Sequence, residues 1–235
     1  MIKGIFQSAR GMQSANKNME IIANNLANLN TIGFKREGTF SEILSSVSEP
    51  KIKSSVDLYQ GEVFKTSNPL DLAISGEGEF VLKTENGYEY SRNGKFKISD
   101  DGFLVNETGH KVMGKKGEIN LSDYILEDQN SILITRQGEI KLGESSIDEI
   151  MIVKISPEEY DKRKLGLNFN PTESVETILD SNEYQILQGY LEESNVNPIQ
   201  EMENMITISK DYETSYKMVT YLDHSLEKSN EIGRV

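Results

Sequence analysis

The chain of 235 residues contains no cysteine, no tryptophan, five prolines and two histidines. Without cysteine, disulfides, thiol catalysis and thiolate metal sites are all excluded. No run of eighteen apolar residues occurs, so the sequence offers no candidate transmembrane helix. Basic residues are outnumbered, because 25 Lys and Arg face 38 Asp and Glu. The formal charge of −13 disfavours contact with a phosphate backbone. We therefore expect neither nucleic-acid binding nor membrane insertion.

Side chains suited to catalysis are also scarce. His110 follows a predicted β-turn and His224 lies in a predicted helix, where the adjacent Asp223 points to another side. The segment Gly76–Gly78 lacks the context of a phosphate-binding loop and favours a strand-entry turn. The acidic pair Glu192-Glu193 is predicted to lie on a solvated face. We predict no enzyme activity, no catalytic residues, no cofactor and no metal site.

The first thirty residues carry an apolar heptad repeat. One stripe position recurs every seven residues and a second one accompanies it: Ile5, Met12, Met19 and Leu26, with Ala15, Ile22 and Leu29. This pattern predicts an amphipathic helix that ends near Gly33. The helix could pack on its own domain or associate with another chain.

A second helical pattern begins at Pro198, and Asn197 before it is a good N-cap. Its apolar residues again recur every seven positions, flanked by others: Met205, Tyr212, Val219 and Leu226, with Met202, Ile208 and Leu222. The pattern predicts a helix that continues to about Glu231.

Between the helices the hydrophobic period changes to two from Leu70 to about Val153. Short alternating runs are separated by dipeptides that favour the positive φ angles of tight hairpins: Asn86-Gly87, Asn93-Gly94 and Asp101-Gly102. This pattern predicts an antiparallel β domain, followed by a mixed, loop-like stretch over 156–188. The polar residues before it, 36–69, are predicted to form an extended connector.

These elements predict an α+β fold in which paired, coiled-coil-like terminal helices flank a mostly antiparallel β domain. The predicted divisions are an N-terminal helix over 1–35, the connector over 36–69, a β-rich outer domain over 70–188 and a C-terminal helix over 189–235. Matched helices at both ends are typical of an assembly subunit. The predicted subunit-interface residues are Ile5, Met12, Met19, Ile22, Leu26, Leu29, Met202, Met205, Tyr212, Val219, Leu222 and Leu226.

Several motifs resemble those of a known family. Residues 24–35, NNLANLNTIGFK, resemble the N-terminal signature of flagellar rod and hook axial proteins, and residues 191–197, LEESNVN, resemble their C-terminal signature. Residues 70–78, LDLAISGEG, and 90–96, YSRNGKF, resemble the entry into their β domain and the hairpin that follows. Glu79 stands where the family commonly has an aromatic residue. The chain is identified as a member of the flagellar basal-body rod protein family, FlgF/FlgG type.

The resemblance implies a structural subunit that polymerises by its terminal helices into the torque-transmitting rod. It implies other rod subunits and the flagellar type III export apparatus as partners, and a place in the periplasmic rod reached without a cleaved signal peptide. Because only residues 36–69 separate Lys35 from Leu70, proximal-rod members are the most similar and distal-rod or other hook and rod proteins are the alternative. Two other classes stay open, namely a cell-wall hydrolase that travels with the rod and a soluble binding module.

Overall fold

The computed structural model describes residues 2–41, 52–85, 87–122, 132–143, 145–155, 176–178 and 183–232. The chain divides into two compact units. The first comprises Met1–Leu29, Glu37–Ser55 and Val196–Val235, and the second comprises Asn30–Arg36 and Val56–Asn195. The first is mainly helical and the second is built of strands, so the predicted α+β class is confirmed.

The first unit contains two long helices, α1 (Ile2–Ala27) and α2 (Pro198–Ile232), which pack against each other. A two-stranded sheet of β1 (Glu37–Ser41) and β2 (Ile52–Val56) accompanies them. The Oδ1 of Asn197 accepts hydrogen bonds from the backbone N–H groups of Ile199 (3.0 Å) and Gln200 (3.2 Å), which confirms the predicted N-cap. Neither helix, as far as the structure describes them, is long and apolar enough to cross a membrane.

The second unit contains the remaining strands. In chain order these are β3 (Val63–Lys65), β4 (Leu72–Gly76), β5 (Glu79–Thr84), β6 (Gly87–Ser91), β7 (Lys97–Ile98), β8 (Leu104–Val105), β9 (Lys111–Gly114), β10 (Gly117–Glu118), β11 (Ile132–Ile134), β12 (Glu139–Leu142), β13 (Ser145–Glu149), β14 (Ile152–Ile155), β15 (Glu176–Ile178), β16 (Tyr184–Gln188) and β17 (Tyr190–Glu192). Their pairings are antiparallel, as predicted.

The largest sheet has eight strands in the order β15-β14-β5-β9-β8-β7, with β6 also paired to β5 and β10 to β9. Three strands, β11-β12-β13, form a separate sheet, while β16 pairs with β4 and β17 with β3. Strand β5 is buried on both faces: Phe80 and Leu82 pack in the main core, and Val81 packs in a second cluster. In the main core the rings of Phe80 and Phe96 meet edge to face at 5.1 Å.

Parts of the chain form strands where the sequence predicted none. The predicted connector over 36–69 contains β1, β2 and β3, and the predicted loop-like stretch contains β15 and β16. The partner of β3 is β17 and the partner of β4 is β16, so these strands depend on residues far away in the sequence. Residues 156–175 and 179–182 of the predicted loop-like stretch lie outside the described residues.

The glycines of the predicted hairpin dipeptides serve two different purposes. Gly87 (φ 131°) and Gly102 (φ 82°) have the positive φ angles that a tight turn requires. Gly94 does not, and β6 and β7 are not paired, so the hairpin predicted there is wrong. A Cβ on Gly94 would lie 1.7 Å from the carbonyl oxygen of Leu72, so glycine is required by a close backbone approach.

Candidate functional site

The terminal helices meet along a surface, here called the helix seam, that repeats every seven residues. A Cβ on Gly4 would lie 3.2 Å from Leu222 Cδ1. A Cβ on Gly11 would lie 3.2 Å from Ser215 Oγ. Residues seven apart in α1 therefore face residues seven apart in α2 in reverse order, which defines an antiparallel heptad contact. Glycine at these α1 positions leaves room for the side chains of Leu222 and Ser215.

Most of the predicted interface residues have the partial burial that such a seam requires. Ile22 is buried and ten others are half-buried, whereas Met202 is 56% exposed. The helix α1 ends at Ala27, before the predicted end near Gly33, so Leu29 lies just beyond it. In α2 the half-buried positions include every predicted heptad residue from Met205 to Leu226. The two helices contact each other within one chain, and the role of these residues between subunits stays a prediction.

A second apolar surface, here called the outer face of α2, lies away from the seam. It consists of four large side chains that are more than half exposed, Ile199, Met202, Ile206 and Tyr221. The equally exposed Tyr216 and Met218 lie on either side of the seam. At 100° per residue, Ile199, Ile206 and Tyr221 point opposite to Ile208 and Leu226 of the seam register. Single exposed apolar residues are common, but four on one side of a helix indicate a contact surface. The sequence prediction missed this face because the heptad stripe alone accounted for a helix.

Asn25 connects three elements of the first unit. Its side chain is fully buried, its Nδ2 donates to the carbonyl of Glu37 at 2.8 Å, and its Oδ1 accepts from the Glu37 N–H at 2.9 Å. The same Nδ2 lies 3.4 Å from Oε2 of Glu201, a buried carboxylate in the first turn of α2. The Asn25 amide therefore pairs with the backbone of β1 in the way that a neighbouring strand would. It also connects α1, β1 and α2. This gives the second asparagine of the N-terminal signature a structural role.

In the second unit three charged side chains, here called the charge clamp, meet in a buried cluster. The Oε1 of Glu192 lies 2.6 Å from the Nζ of Lys35, and its Oε2 lies 2.7 Å from the Nε of Arg92. The three side chains are only 4% (Lys35), 5% (Arg92) and 1% (Glu192) exposed. Charges buried to this extent are tolerated only when they are paired and hydrogen-bonded.

Backbone groups complete the surroundings of Lys35 and Glu192. The Lys35 ammonium donates to the carbonyl of Tyr59 at 2.8 Å, and Glu192 Oε1 accepts from the N–H of Gly61 at 3.0 Å. The backbone carbonyl of Glu192 accepts from the N–H of Gly33 at 2.8 Å. Glu192 thus binds the N-terminal signature with both its side chain and its main chain.

Arg92 extends the clamp to the entry of the large sheet. Its guanidinium donates to the carbonyl of Ile74 at 2.8 Å and to the carbonyls of Gly76 and Gly78. The fork of guanidinium donors suits this convergence of three carbonyls and one carboxylate. Arg92 therefore fixes the end of β4 and the turn that leads into β5.

The charges of the clamp act on one another. Burial lowers the pKa of Lys35 below its ordinary 10.5, although the Glu192 carboxylate acts in the opposite direction. Burial also acts to raise the pKa of Glu192, but the charges of Arg92 and Lys35 outweigh it and hold that pKa below 4.5. Glu79 is buried as well, and its charge acts to raise the pKa of Lys35. Glu79, which stands where the family commonly has an aromatic residue, therefore places a second carboxylate near the charge clamp.

Asn195 ties the chain segments next to the clamp. Its Oδ1 accepts from the N–H of Arg36 at 2.7 Å, and its Nδ2 donates to the carbonyls of Asp57 (3.0 Å) and Tyr59 (2.9 Å). The N–H of Asp57 donates to the carbonyl of Arg36 at 2.8 Å. Three segments that lie far apart in the sequence are thus joined by one side-chain amide.

The sequence prediction did not find the clamp. The solvated face predicted for Glu192-Glu193 is wrong for Glu192, which is buried, while Glu193 is exposed. Alternation explains the difference, because adjacent strand residues point to opposite faces. The available signal was that Lys35, Arg92 and Glu192 each belong to one of three separate motifs.

The histidines stand apart from these features. His110 Nδ1 lies 3.1 Å from Glu89 Oε2, and His224 Nδ1 lies 3.5 Å from Glu227 Oε2 on an exposed part of α2. Within the residues that the structure describes, no group of three or more His, Asp or Glu is arranged to hold a metal ion.

Comparisons with known proteins match the two ends and the middle of the chain to flagellar families. Residues 8–35 match the family described as flagella basal body rod protein. Residues 73–142 match the flagellar hook protein FlgE/F/G D1 domain, and residues 187–232 match the flagellar basal body rod FlgEFG protein C-terminal region.

Individual relatives match over most of their length. The flagellar basal-body rod protein FlgG of Agrobacterium fabrum is 30% identical over 253 residues, which cover 92% of this chain and 94% of the relative. FlgF of Mesorhizobium japonicum is 27% identical over 223 residues, covering 92% and 91%. FlgF of Buchnera aphidicola from Schizaphis graminum is 26% identical, covering 100% and 99%.

Proposed function

We propose a mode of action from one premise: the chain belongs to the FlgF/FlgG family of flagellar basal-body rod proteins. As a member of that family it is a structural subunit of the flagellar rod and assembles with other basal-body proteins. It builds the rod through its paired terminal helices, transmits torque as part of a rigid shaft, and carries out no chemical turnover.

The outer face of α2 carries this proposal. A subunit that polymerises must bury apolar surface against its neighbours, at about 25 cal/mol per Å² of apolar area. The helix seam is already occupied within the chain, whereas Ile199, Met202 and Ile206 are 77%, 56% and 57% exposed. We infer that the seam holds the two helices of one subunit together and that the outer face contacts the next subunit.

The geometry of such contacts agrees with an open polymer. The outer face lies on α2, and the exposed side of α1 is a different kind of surface. It carries three basic residues seven positions apart, Lys3, Arg10 and Lys17, with Phe6 beside them. Contacts between two different surfaces of identical subunits continue without closing unless the rotation forms a ring. The predicted seam residues, Leu26 and Leu222 among them, would support assembly by holding the helix that presents the outer face.

We place the subunit in the proximal part of the periplasmic rod, with a distal position as the alternative. The short segment 36–69 favours the proximal position, and relatives named FlgF and FlgG match to similar extents. We also propose export by the flagellar type III apparatus without removal of α1, because removing α1 would abolish its packing against α2. An intact N-terminal helix in protein recovered from rods, measured by mass spectrometry, is the expected result. We further propose that the subunit neither binds nucleic acid nor inserts into a membrane.

Electron microscopy of basal bodies tests the proposal. In a deletion strain, tagged Ile206→Glu protein should fold yet give truncated basal bodies and no motility. Thr207→Glu, which adds the same charge at an exposed polar neighbour, should restore both. Label on the rod with the control protein would support the structural role, and its height would separate proximal from distal. Normal rods with Ile206→Glu would contradict the role of the outer face, and label elsewhere with intact rods in the deletion strain would favour a binding module.

A further inference from the structure

We propose that the charge clamp completes the folding of the second unit. The N-terminal segments of this unit cannot become ordered until Glu192 pairs with Lys35 and Arg92, so these segments become ordered together and last. The inference concerns folding and does not depend on the role in the rod. It rests on which contacts of Lys35, Arg92, β3 and β4 are supplied by residues 184–195.

The sheet partners of two early strands come from the far end of the unit. β3 pairs with β17 through Phe64 and Leu191, and β4 pairs with β16 along its whole length. Within the described residues, β3 and β4 pair with no other strand. The strand edges that face β16 and β17 are therefore satisfied only after a long loop has closed, which is slow compared with local pairing.

The buried charges of the clamp favour the same sequence of folding events. Lys35 and Arg92 precede Glu192 in the chain by 157 and 100 residues, and both are buried against its carboxylate. Ordering the segments around two buried cations without their shared anion would leave charge uncompensated in a low-dielectric interior. The N–H of Gly61 likewise depends on Glu192 Oε1.

Backbone contacts close to Glu192 make it difficult for only some of these segments to become ordered. A Cβ on Gly61 would lie 2.0 Å from the carbonyl oxygen of Glu193, so the two chain segments pass in direct contact. The N–H of Glu193 donates to the carbonyl of Glu62 at 2.8 Å. The segments around Lys35 and Gly61 thus acquire main-chain and side-chain partners from the same three residues, 191–193, in one event.

By contrast, three pairings of the large sheet join strands that are neighbours in the sequence. β5 and β6 are joined by a hairpin, as are β7 and β8, and β9 and β10. These pairings need only short loops, so we expect them to form first. The unit would then pass through a state in which 79–118 is ordered and the clamp is open.

Pulsed hydrogen exchange with mass spectrometry during refolding of the full chain tests this order. Amides of 79–91 and 104–118 should become protected first, and those of 33–36, 61–66, 72–76 and 184–193 should follow together in a slower phase. Protection of 61–66 and 72–76 at the rate of the hairpins would overturn the proposal.

A pair of variants supplies an independent test in the native state. Glu192→Gln removes the charge but keeps a side-chain oxygen, and it should increase opening of the late segments on the order of a hundredfold while leaving 79–91 nearly unchanged. Glu193→Gln makes the same charge change at an exposed neighbour and should alter neither set. An equal increase in all segments would overturn the proposal, and if Glu192→Gln does not fold, the refolding order of the unaltered chain decides it.

Discussion

The Nζ of Lys35 and the Oε1 of Glu192 lie 2.6 Å apart although 157 residues separate them in the chain. Lys35 ends the N-terminal signature, Glu192 lies in the C-terminal signature, and Arg92 in the intervening hairpin motif binds the other oxygen of the same carboxylate. Three motifs that identify the family in the sequence therefore meet in one buried cluster. Their residues are explained by the fold of the second unit rather than by a reaction.

The stability of the second unit should depend on acidic pH through Glu192. Its pKa is held below 4.5 in the folded protein, because Arg92 and Lys35 outweigh the effect of burial. A lowered folded-state pKa means that ionised Glu192 stabilises the fold above its ordinary pKa, and this contribution is lost as pH falls through the folded-state pKa. Urea unfolding from neutral pH to about pH 3 should show the difference between the unaltered chain and Glu192→Gln shrinking below pH 4.5. A difference that stays constant with pH would contradict this role.

Replacing Asn25 by alanine should destabilise the first unit by about 2 kcal/mol, because the buried N–H and carbonyl of Glu37 lose their amide partner. Thermal unfolding followed by far-UV circular dichroism measures the change. Asn16→Ala on the same helix is the matched control, since Asn16 is exposed and alanine favours helix. Equal effects of the two substitutions would show that the Asn25 contacts contribute little.

Local patterns in the sequence predicted much of this fold. The heptad stripes predicted α1 and α2, Asn197 predicted the start of α2, and alternation predicted most strands of the large sheet. Each of these features depends on residues within a few positions of one another, where spacing and capping chemistry act directly. The antiparallel pairing of β5 with β6 was predictable for the same reason.

What the sequence did not predict depends on distant partners. β3 has three residues and little alternation, and only its pairing with β17 makes it a strand. Glu192 looks like half of a solvated acidic pair until Lys35 and Arg92 are placed beside it. The outer face of α2 was missed for another reason, because the heptad stripe was sufficient to predict the helix and the remaining apolar residues were not considered.

Gly94→Ala should destabilise the second unit by about 2 kcal/mol or more, because its Cβ would collide with the Leu72 carbonyl, a backbone atom. Gly109→Ala is the control, because alanine at that position should destabilise the protein for a different reason. Its φ is 90° but a Cβ there meets nothing within 4 Å, so alanine should cost about 1 kcal/mol from backbone strain alone. Asparagine, which tolerates positive φ, should recover stability at 109 and not at 94. Denaturant unfolding of the four variants measures this, and recovery at both positions would contradict a steric role for Gly94.

Leu26→Asp should prevent incorporation into rods while leaving the second unit folded. Leu26 is a half-buried heptad residue near the end of α1, and a carboxylate there would be desolvated without a cationic partner in its stripe. The helix pair should loosen, so that α2 no longer presents its outer face in a fixed position. Hydrogen exchange on the purified variant should show faster exchange in 2–27 and 198–232 with unchanged protection in 79–118. Ala23→Asp places the same charge at an exposed position of the same helix and should assemble normally. Normal rods built from Leu26→Asp protein would mean that pairing of α1 with α2 is not required for assembly, and the proposed division between seam and outer face would fail.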